Sequence, residues 1–318
     1  PIVSSARAFR ALWKRAYHRF SDWLGAVVYE DPWLAGGHNG LSNSEDPEKP
    51  ESPFPRVLEI RKFLRSIGLD HVPIVMAGGV WNLSEWKDWI GNKDLGPIAF
   101  QFGTRPLLTK ESPIPEAWKK RLLELEPGDV LLHRFSPTGF YSSAIYNDFL
   151  RELVERSERQ VPVRAEPCPE EGFTTYFALA RNKRGVYMRP EDHTRVQGWI
   201  EAGYSQPMRT PDDTLIFVTP ERARQIRRDQ ADCMGCLSQC KFSSWKQEAN
   251  YTTGRLPDPR SFCIQKTLQD VAHGRGDPLD NQLVFAGHNV FRFRQDPFYA
   301  NGFVPTVRQL VQRILSGA

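Results

Sequence analysis

Three short apolar runs, each leading into a glycine turn, constrain this chain more than any other feature. Gly25–Tyr29 (GAVVY) leads to Ala35-Gly36-Gly37-His38-Asn39-Gly40. Pro73–Ala77 (PIVMA) leads to Gly78-Gly79. Ile98–Phe102 (IAFQF, which contains Gln101) leads to Gly103-Thr104-Arg105. Runs that are apolar throughout suit strands covered on both faces. Between them lie helical patterns: Ala6–Phe20, with Phe9, Leu12, Trp13, Ala16 and Phe20 apolar, and Phe54–Ile67. Ile2–Ser4 reads as the end of a further strand. Short apolar strands alternating with helices imply βαβ units and a parallel sheet. In such folds ligands sit at the carboxyl ends of the strands. Glycine there lets backbone N–H groups approach a phosphate with no Cβ in the way. Any one glycine pair reads equally well as a tight turn. The recurrence after three strands is what points to a ligand.

The 318 residues suggest about two domains. Residues 1–110 carry the strand–helix alternation. Residues 111–280 differ, with helical patterns at 116–125, 141–157 and 220–229 between proline- and charge-rich stretches. Thr214–Val218 (TLIFV) reads as a strand, and the whole segment as an inserted α-rich cap. Residues 281–318 return to the first domain and close with a helix over Pro305–Leu315. Asn43–Pro55 reads as an exposed loop, and Ser84 as the cap of a short helix through Trp89. With 40% apolar and 25% charged residues the composition is that of a soluble globular protein. No run approaches the roughly 18 apolar residues of a membrane helix. A net charge of +4 is too small to argue for nucleic acid or an anionic membrane.

The matched stretches GAVVYEDPWLAGGHNG, VPIVMAGGV and IAFQFGTRPLLTKES resemble the nitronate monooxygenase (2-nitropropane dioxygenase-like) family of FMN-dependent barrels. The likeness continues more weakly through Asp129–Phe149 and Phe285–Ile314. Relatives of that family include enoyl reductases and NADH:quinone reductases. The resemblance implies that Gly78, Gly79, Gly103 and Thr104 hold the FMN phosphate, with Gly36, Gly37 and Gln101 close to the flavin. His38 matches the histidine that faces the substrate and removes a proton α to a nitro group. An imidazole suits that task near neutral pH. The alternative for His38 is a hydrogen bond to backbone in a glycine-rich loop. His288, His133 and Arg134 are further candidates for the cleft, with packing as the alternative. The resemblance also places Ile2–Ser5 near the fifth strand of a TIM (β/α)8 barrel, and Gly25, Pro73 and Ile98 at strands six to eight. The expected architecture is the C-terminal half of such a barrel, with strands one to four missing from the sequence, which begins at Pro1.

Four of the five cysteines cluster. Cys233, Cys236, Cys240 and Cys263 are spaced C-x2-C-x3-C-x22-C, while Cys168 stands apart. Four thiolates suit structural Zn2+ or a [4Fe–4S] cluster. The first two spacings resemble those of the dienoyl-CoA reductase and trimethylamine dehydrogenase family, FMN barrels with an iron–sulfur cluster, whose last gap is shorter. Buried apolar thiols are the plain alternative. The thiols suggest a reducing, cytoplasmic setting. Asn250-Tyr251-Thr252 matches a glycosylation pattern and is read as unmodified, Glu221–Arg228 as a solvated basic face, and Trp81, Trp86, Trp89, Trp118 and Trp245 as packing. The functional expectation is an FMN-dependent oxidoreductase acting on a small molecule, most simply an alkyl nitronate with O2. An enoyl or quinone reductase taking electrons from NAD(P)H through an iron–sulfur cluster, and a non-catalytic zinc-stabilised binding module, remain open beside it.

Overall fold

The apolar runs form a parallel sheet in the computed structural model, which describes residues 1–179, 185–236, 240–243, 256–273 and 278–316. In chain order the first part contains β1 (Ile2–Val3), α1 (Ala6–Arg15), β2 (Val27–Glu30), β3 (Gly37–His38), α2 (Pro53–Ser66), β4 (Ile74–Ala77) and β5 (Ile98–Phe100). Strands β1, β2, β4 and β5 pair side by side in that order, all parallel. The register sets Glu30 opposite Ala77 and Met76 opposite Phe100. The carboxyl ends of β2, β4 and β5 therefore finish level, and their glycine turns share one edge. The chain is thus an α/β protein.

Helices α1 and α2 cover this sheet. Phe9 of α1 and Val57, Ile60 and Leu64 of α2 are fully buried against Val27, Tyr29, Ile74 and Met76. Each such side chain contributes about 1.5–3 kcal/mol by leaving water. Ser5 caps α1, its Oγ accepting the Ala8 N–H at 3.2 Å. The helical pattern expected through Phe20 stops at Arg15, and Tyr17–Trp23 follows in tighter turns. Phe20 and Trp23 are 57% and 88% exposed, so no apolar partner holds the helix together there. The segment from Ser84 departs in the same way: a single turn over Leu83–Trp86 with no side-chain cap.

Two compact units divide the chain. The first comprises residues 1–134, 140–147 and 271–318; the second comprises 135–139 and 148–270. The first unit also holds α3 (Glu116–Leu122), β6 (Val130–His133) and β7 (Ser142–Ile145). These elements, and the strand found where residues 141–147 read as helical, correct the expectation of a cap starting at 111. β7 lies between β3 and β6 in an antiparallel sheet and buries all four of its residues. A fully buried short run carries no alternation by which a strand could be told from a helix.

The second unit contains α4 (Asp148–Glu158), β8 (Gln160–Pro162), β9 (Thr175–Phe177), β10 (Val186–Met188), α5 (Pro190–Glu201), β11 (Gln206–Arg209), β12 (Thr214–Val218), α6 (Pro220–Ala231) and, as far as Asp270, α7 (Ile264–Ala272). The strand read at Thr214–Val218 is the middle of an antiparallel sheet, β11-β12-β8. With the β9–β10 hairpin this makes the unit mixed α and β, not α-rich. Its core joins Val161, Val163, Val186, Met188, Val196, Leu215 and Phe217. The chain ends in the first unit with α8 (Arg292–Gln295) and α9 (Val307–Leu315), the latter opened by a reciprocal cap between Thr306 and Gln309. No helix among the described residues is long and apolar enough to cross a membrane. Trp81 and Trp118 are buried, whereas Trp245 and the Asn250–Thr252 pattern lie outside the described residues.

Candidate functional site

The loop after β2 is built by Asp31. Its Oδ1 accepts the N–H groups of Trp33 at 2.9 Å and Leu34 at 3.0 Å. Its own N–H donates to the Ala77 carbonyl at 2.8 Å, which ties the loop to the end of β4. The following turns pack too closely for side chains. A Cβ on Gly36 would lie 2.6 Å from the Ala286 backbone, and one on Gly79 would lie 2.6 Å from Leu34 Cδ1. Gly78 and Gly79 also have φ of +83° and +74°, in the left-handed region that glycine enters freely. Asn289 fastens this turn by donating to the Gly79 carbonyl at 2.8 Å. Thr104 Oγ1 accepts the Gly287 N–H at 3.0 Å, which joins the turn after β5 to the tail segment 285–289.

These turns surround a cavity of about 200 Å3, lined by Gly36, Gly78, Gly79, Gln101, Gly103 and Thr104 together with Glu30, Phe285, Gly287 and Asn289. A Cβ on Gly103 would meet nothing within 4 Å, so its backbone faces open space. Glycine backbone beside such a space lets N–H groups approach an anion with no Cβ in the way. The residues thus fit a phosphate-bearing cofactor. The volume is below the roughly 300–1,000 Å3 of a complete small-molecule pocket, so the cavity has room for a small polar group and not for a whole ring system. Gly37 and His38 do not line the cavity.

Glu30 was not read from the sequence as a site residue. It ends β2 and lines the cavity, and burial pushes its carboxyl up to about 7. The available signal was a carboxylate closing an apolar strand just before a glycine loop. Arg105 turns inward, away from the cavity. It is fully buried, with Nη1 donating to Trp81 O at 2.6 Å and Nε donating to the Tyr299 hydroxyl at 3.1 Å. It stacks 4.9 Å above the Trp81 ring and braces the loop after β4 from behind.

His38 occupies the short strand β3. It pairs with Ser142 of β7, which in turn pairs with His133 of β6. Directly paired residues point to the same face, so His38, Ser142 and His133 form a row across the small sheet. Both histidines are exposed, and Ser142 between them is fully buried. The imidazole of His38 has its pKa lowered by partial burial and lies 6.2 Å from the Phe285 ring. Ser143 joins a second set. Asn39 Nδ2 donates to Ser143 Oγ at 3.2 Å, and Ser143 Oγ lies 3.1 Å from His288 Nε2. A serine hydroxyl both donates and accepts, so the tautomer of His288 sets the direction of that bond, and burial lowers the pKa of this imidazole. Arg134 stacks on Tyr141 at 4.8 Å.

The cysteines lie in the second unit. Cys240 and Cys263 pack on Met208, Ile216, Val218, Ala223, Ile226 and Phe242. All five thiols are free. Burial is the main cause that pushes up Cys236, Cys240 and Cys263, with neighbouring thiols adding to it and, at Cys263, Asp229 ahead of them. Among the described residues no group of three or more His, Cys, Asp or Glu is already arranged around one metal position.

Comparison with known proteins gives the following. No curated protein matches the chain. Among solved structures it resembles FabK from Thermotoga maritima, with a TM-score of 0.48 at 14% identity over 100% of this chain and 59% of that one. It resembles the enoyl reductase domain of MlnA from the macrolactin biosynthesis cluster of Bacillus amyloliquefaciens, with a TM-score of 0.43 at 12% identity over 98% and 63% of the two chains. It also resembles nitroalkane oxidase from Streptomyces ansochromogenes, with a TM-score of 0.35 at 22% identity over 48% and 39%. The chain therefore spans about three-fifths of the length of the FabK chain it matches. The nitronate monooxygenase family profile matches residues 1–297, and the chain belongs to that family of FMN-dependent oxidoreductases.

Proposed function

We propose that this chain supplies the phosphate-binding end of an FMN site and the proton-handling histidine of an oxidase acting on alkyl nitronates or their parent nitroalkanes. The observation that carries this reading is the convergence of the turns after β2, β4 and β5 on one cavity, with open space beside the backbone of Gly103. Bound there, FMN would accept electrons from the substrate at its isoalloxazine ring.

The chain's own residues do the rest. The N–H groups of Gly78, Gly79 and Gly103 and the hydroxyl of Thr104 hold the phosphate. Asp31, Asn289 and Arg105 keep those turns in place. His38, neutral near pH 7 because its pKa is lowered, takes the proton α to the nitro group. Strands β1 and β5 each pair on one side only among the described residues. A parallel sheet of this kind is ordinarily covered and closed. The remaining barrel strands are therefore part of this proposal, as the wall that completes the ring-binding half.

The test, made on the chain joined to the remaining barrel strands and loaded with FMN, is oxygen uptake with a nitroalkane at pH 7, set against NADH or NADPH oxidation with an enoyl thioester or quinone. Oxygen uptake is expected, falling about 10^2–10^4-fold in His38→Ala. Pyridine nucleotide oxidation without oxygen uptake would replace the oxidase reading with a reductase. Protein that takes up no flavin would favour a binding module.

A further inference from the structure

The first unit holds a second cavity, separate from the one at the strand ends. Its volume is about 320 Å3, and Trp81, Asn82, Arg292, Gln295, Asp296 and Arg313 stand in its wall. That volume falls within the range of small-molecule pockets. The only carboxylate in the wall is already taken up. Asp296 Oδ2 accepts the Trp81 indole N–H at 3.0 Å, and Oδ1 accepts the Phe298 N–H at 2.9 Å. Two guanidiniums flank this carboxylate beyond hydrogen-bonding distance. Arg105 Nη2 lies 3.8 Å from Oδ2, and Arg313 Nη2 lies 3.8 Å from Oδ1.

Donors are left over around it. Arg105 is 1% exposed, and its Nη2 is buried with no hydrogen-bond partner. Arg313 Nε is buried and equally unpartnered. A buried donor left unpaired is costly, the more so on a charged group. Asn82 Oδ1 accepts Arg105 Nη1 at 3.1 Å. A guanidinium only donates, so the amide oxygen faces Arg105 and the NH2 group remains for another partner. The charges point the same way. Arg292 is held by Glu85, with Nη1 donating to Oε2 at 2.9 Å, while Arg105 and Arg313 share Asp296. Among the described residues, three guanidiniums thus face two carboxylates, which leaves one positive charge over.

We propose that this cavity is an anion site for a phosphate group, held by Arg313 and the Asn82 amide, with Arg105 behind Asp296 supplying the balancing charge. The donors come from separate residues, and a tetrahedral anion offers an oxygen to each of them. A carboxylate is matched instead by one planar guanidinium fork. Trp81 stands in the wall of this cavity and of the one at the strand ends, so the two sites share that ring. The site does not depend on the flavin reading, and its test does not use enzyme activity.

The experiment is an NMR titration of the full chain with sodium phosphate at pH 7, with ionic strength held constant by sodium chloride. The probes are Arg313 Nε–H, the Asn82 side-chain NH2 and the Trp81 indole N–H. Saturable shifts of these signals are expected. Arg313→Gln should weaken them at least about tenfold, and Arg313→Lys less, because an ammonium keeps the charge but loses the Nε donor. Asn82→Ala, which lies outside α9, should weaken binding in the same direction. Glycerol 3-phosphate separates a phosphate ester from the free ion, and saturable binding of either supports the site. The amides of Gly78, Gly79 and Gly103 report the other cavity. Phosphate that shifts only those amides would overturn this site and leave the flavin reading in place. Shifts that chloride alone reproduces, that acetate matches at equal concentration, or that persist unchanged in Arg313→Gln would also overturn it.

Discussion

At the scale of single residues, Glu30 makes the site's environment measurable. A carboxyl whose pKa rises from 4.5 to about 7 on folding holds its proton more tightly in the folded chain. The folded state is therefore favoured at low pH and loses stability as pH rises from about 4.5 through about 7. At 1.36 kcal/mol per pKa unit the loss is on the order of 3 kcal/mol. Urea unfolding at pH 5 and pH 8 should show the native protein losing that much relative to Glu30→Gln, because other titrating groups cancel in the comparison. A difference between the two proteins that stays constant across pH would remove the buried carboxyl from the account. Glycine after a strand is a visible signal, so the sequence points to Gly36, Gly78, Gly79 and Gly103, and the resemblance adds Gln101 and Thr104; all six line one cavity. Sequence reading missed Glu30 because burial of a strand-end carboxylate depends on the loops that fold over it. It did not foresee that Gly36 and Gly79 are also required by contacts with residues far away in sequence, or that Arg105 turns inward.

At the scale of elements, α2 shows how one side chain fixes the strand order. Arg61 is fully buried in that helix. It donates to the carbonyls of Leu95, Asp70, Val72 and Pro97, which belong to the segments leading into β4 and β5. Gly96, at φ +65°, leaves room for the guanidinium 3.1 Å from where a Cβ would stand. Arg61→Met would strand these carbonyls and cost at least about 3 kcal/mol in urea unfolding. Arg61→Lys would recover only part, because an ammonium cannot reach four divergent acceptors. A loss under 1 kcal/mol in Arg61→Met would show that water replaces the guanidinium. The helical period of 54–67 was plain in the sequence, but an arginine on its buried face reads as polar and hides this role. The strands of the second unit were hidden for a related reason: β11 carries Gln206 and Arg209, and β9 begins at Thr175, so neither reads as an apolar run.

At the scale of the whole molecule, the parallel sheet and family were legible because continuous apolar runs and glycine turns recur in order along one stretch of chain. The division into units was not, since the first unit is assembled from three separated segments. Its edges remain the open part of the proposal. Ile2 is 64% and Trp23 88% exposed, beside a strand paired on one side. Binding of FMN to this chain is accordingly expected to be weak and centred on the phosphate. The most direct measurement is a backbone amide NMR titration with FMN and, separately, with riboflavin, which lacks the phosphate. FMN should shift the amides of Gly78, Gly79, Gly103 and Thr104, while riboflavin leaves them in place. Equal shifts from the two ligands, or FMN shifts confined to residues away from the turns after β2, β4 and β5, would contradict the assignment of this cavity to the flavin phosphate.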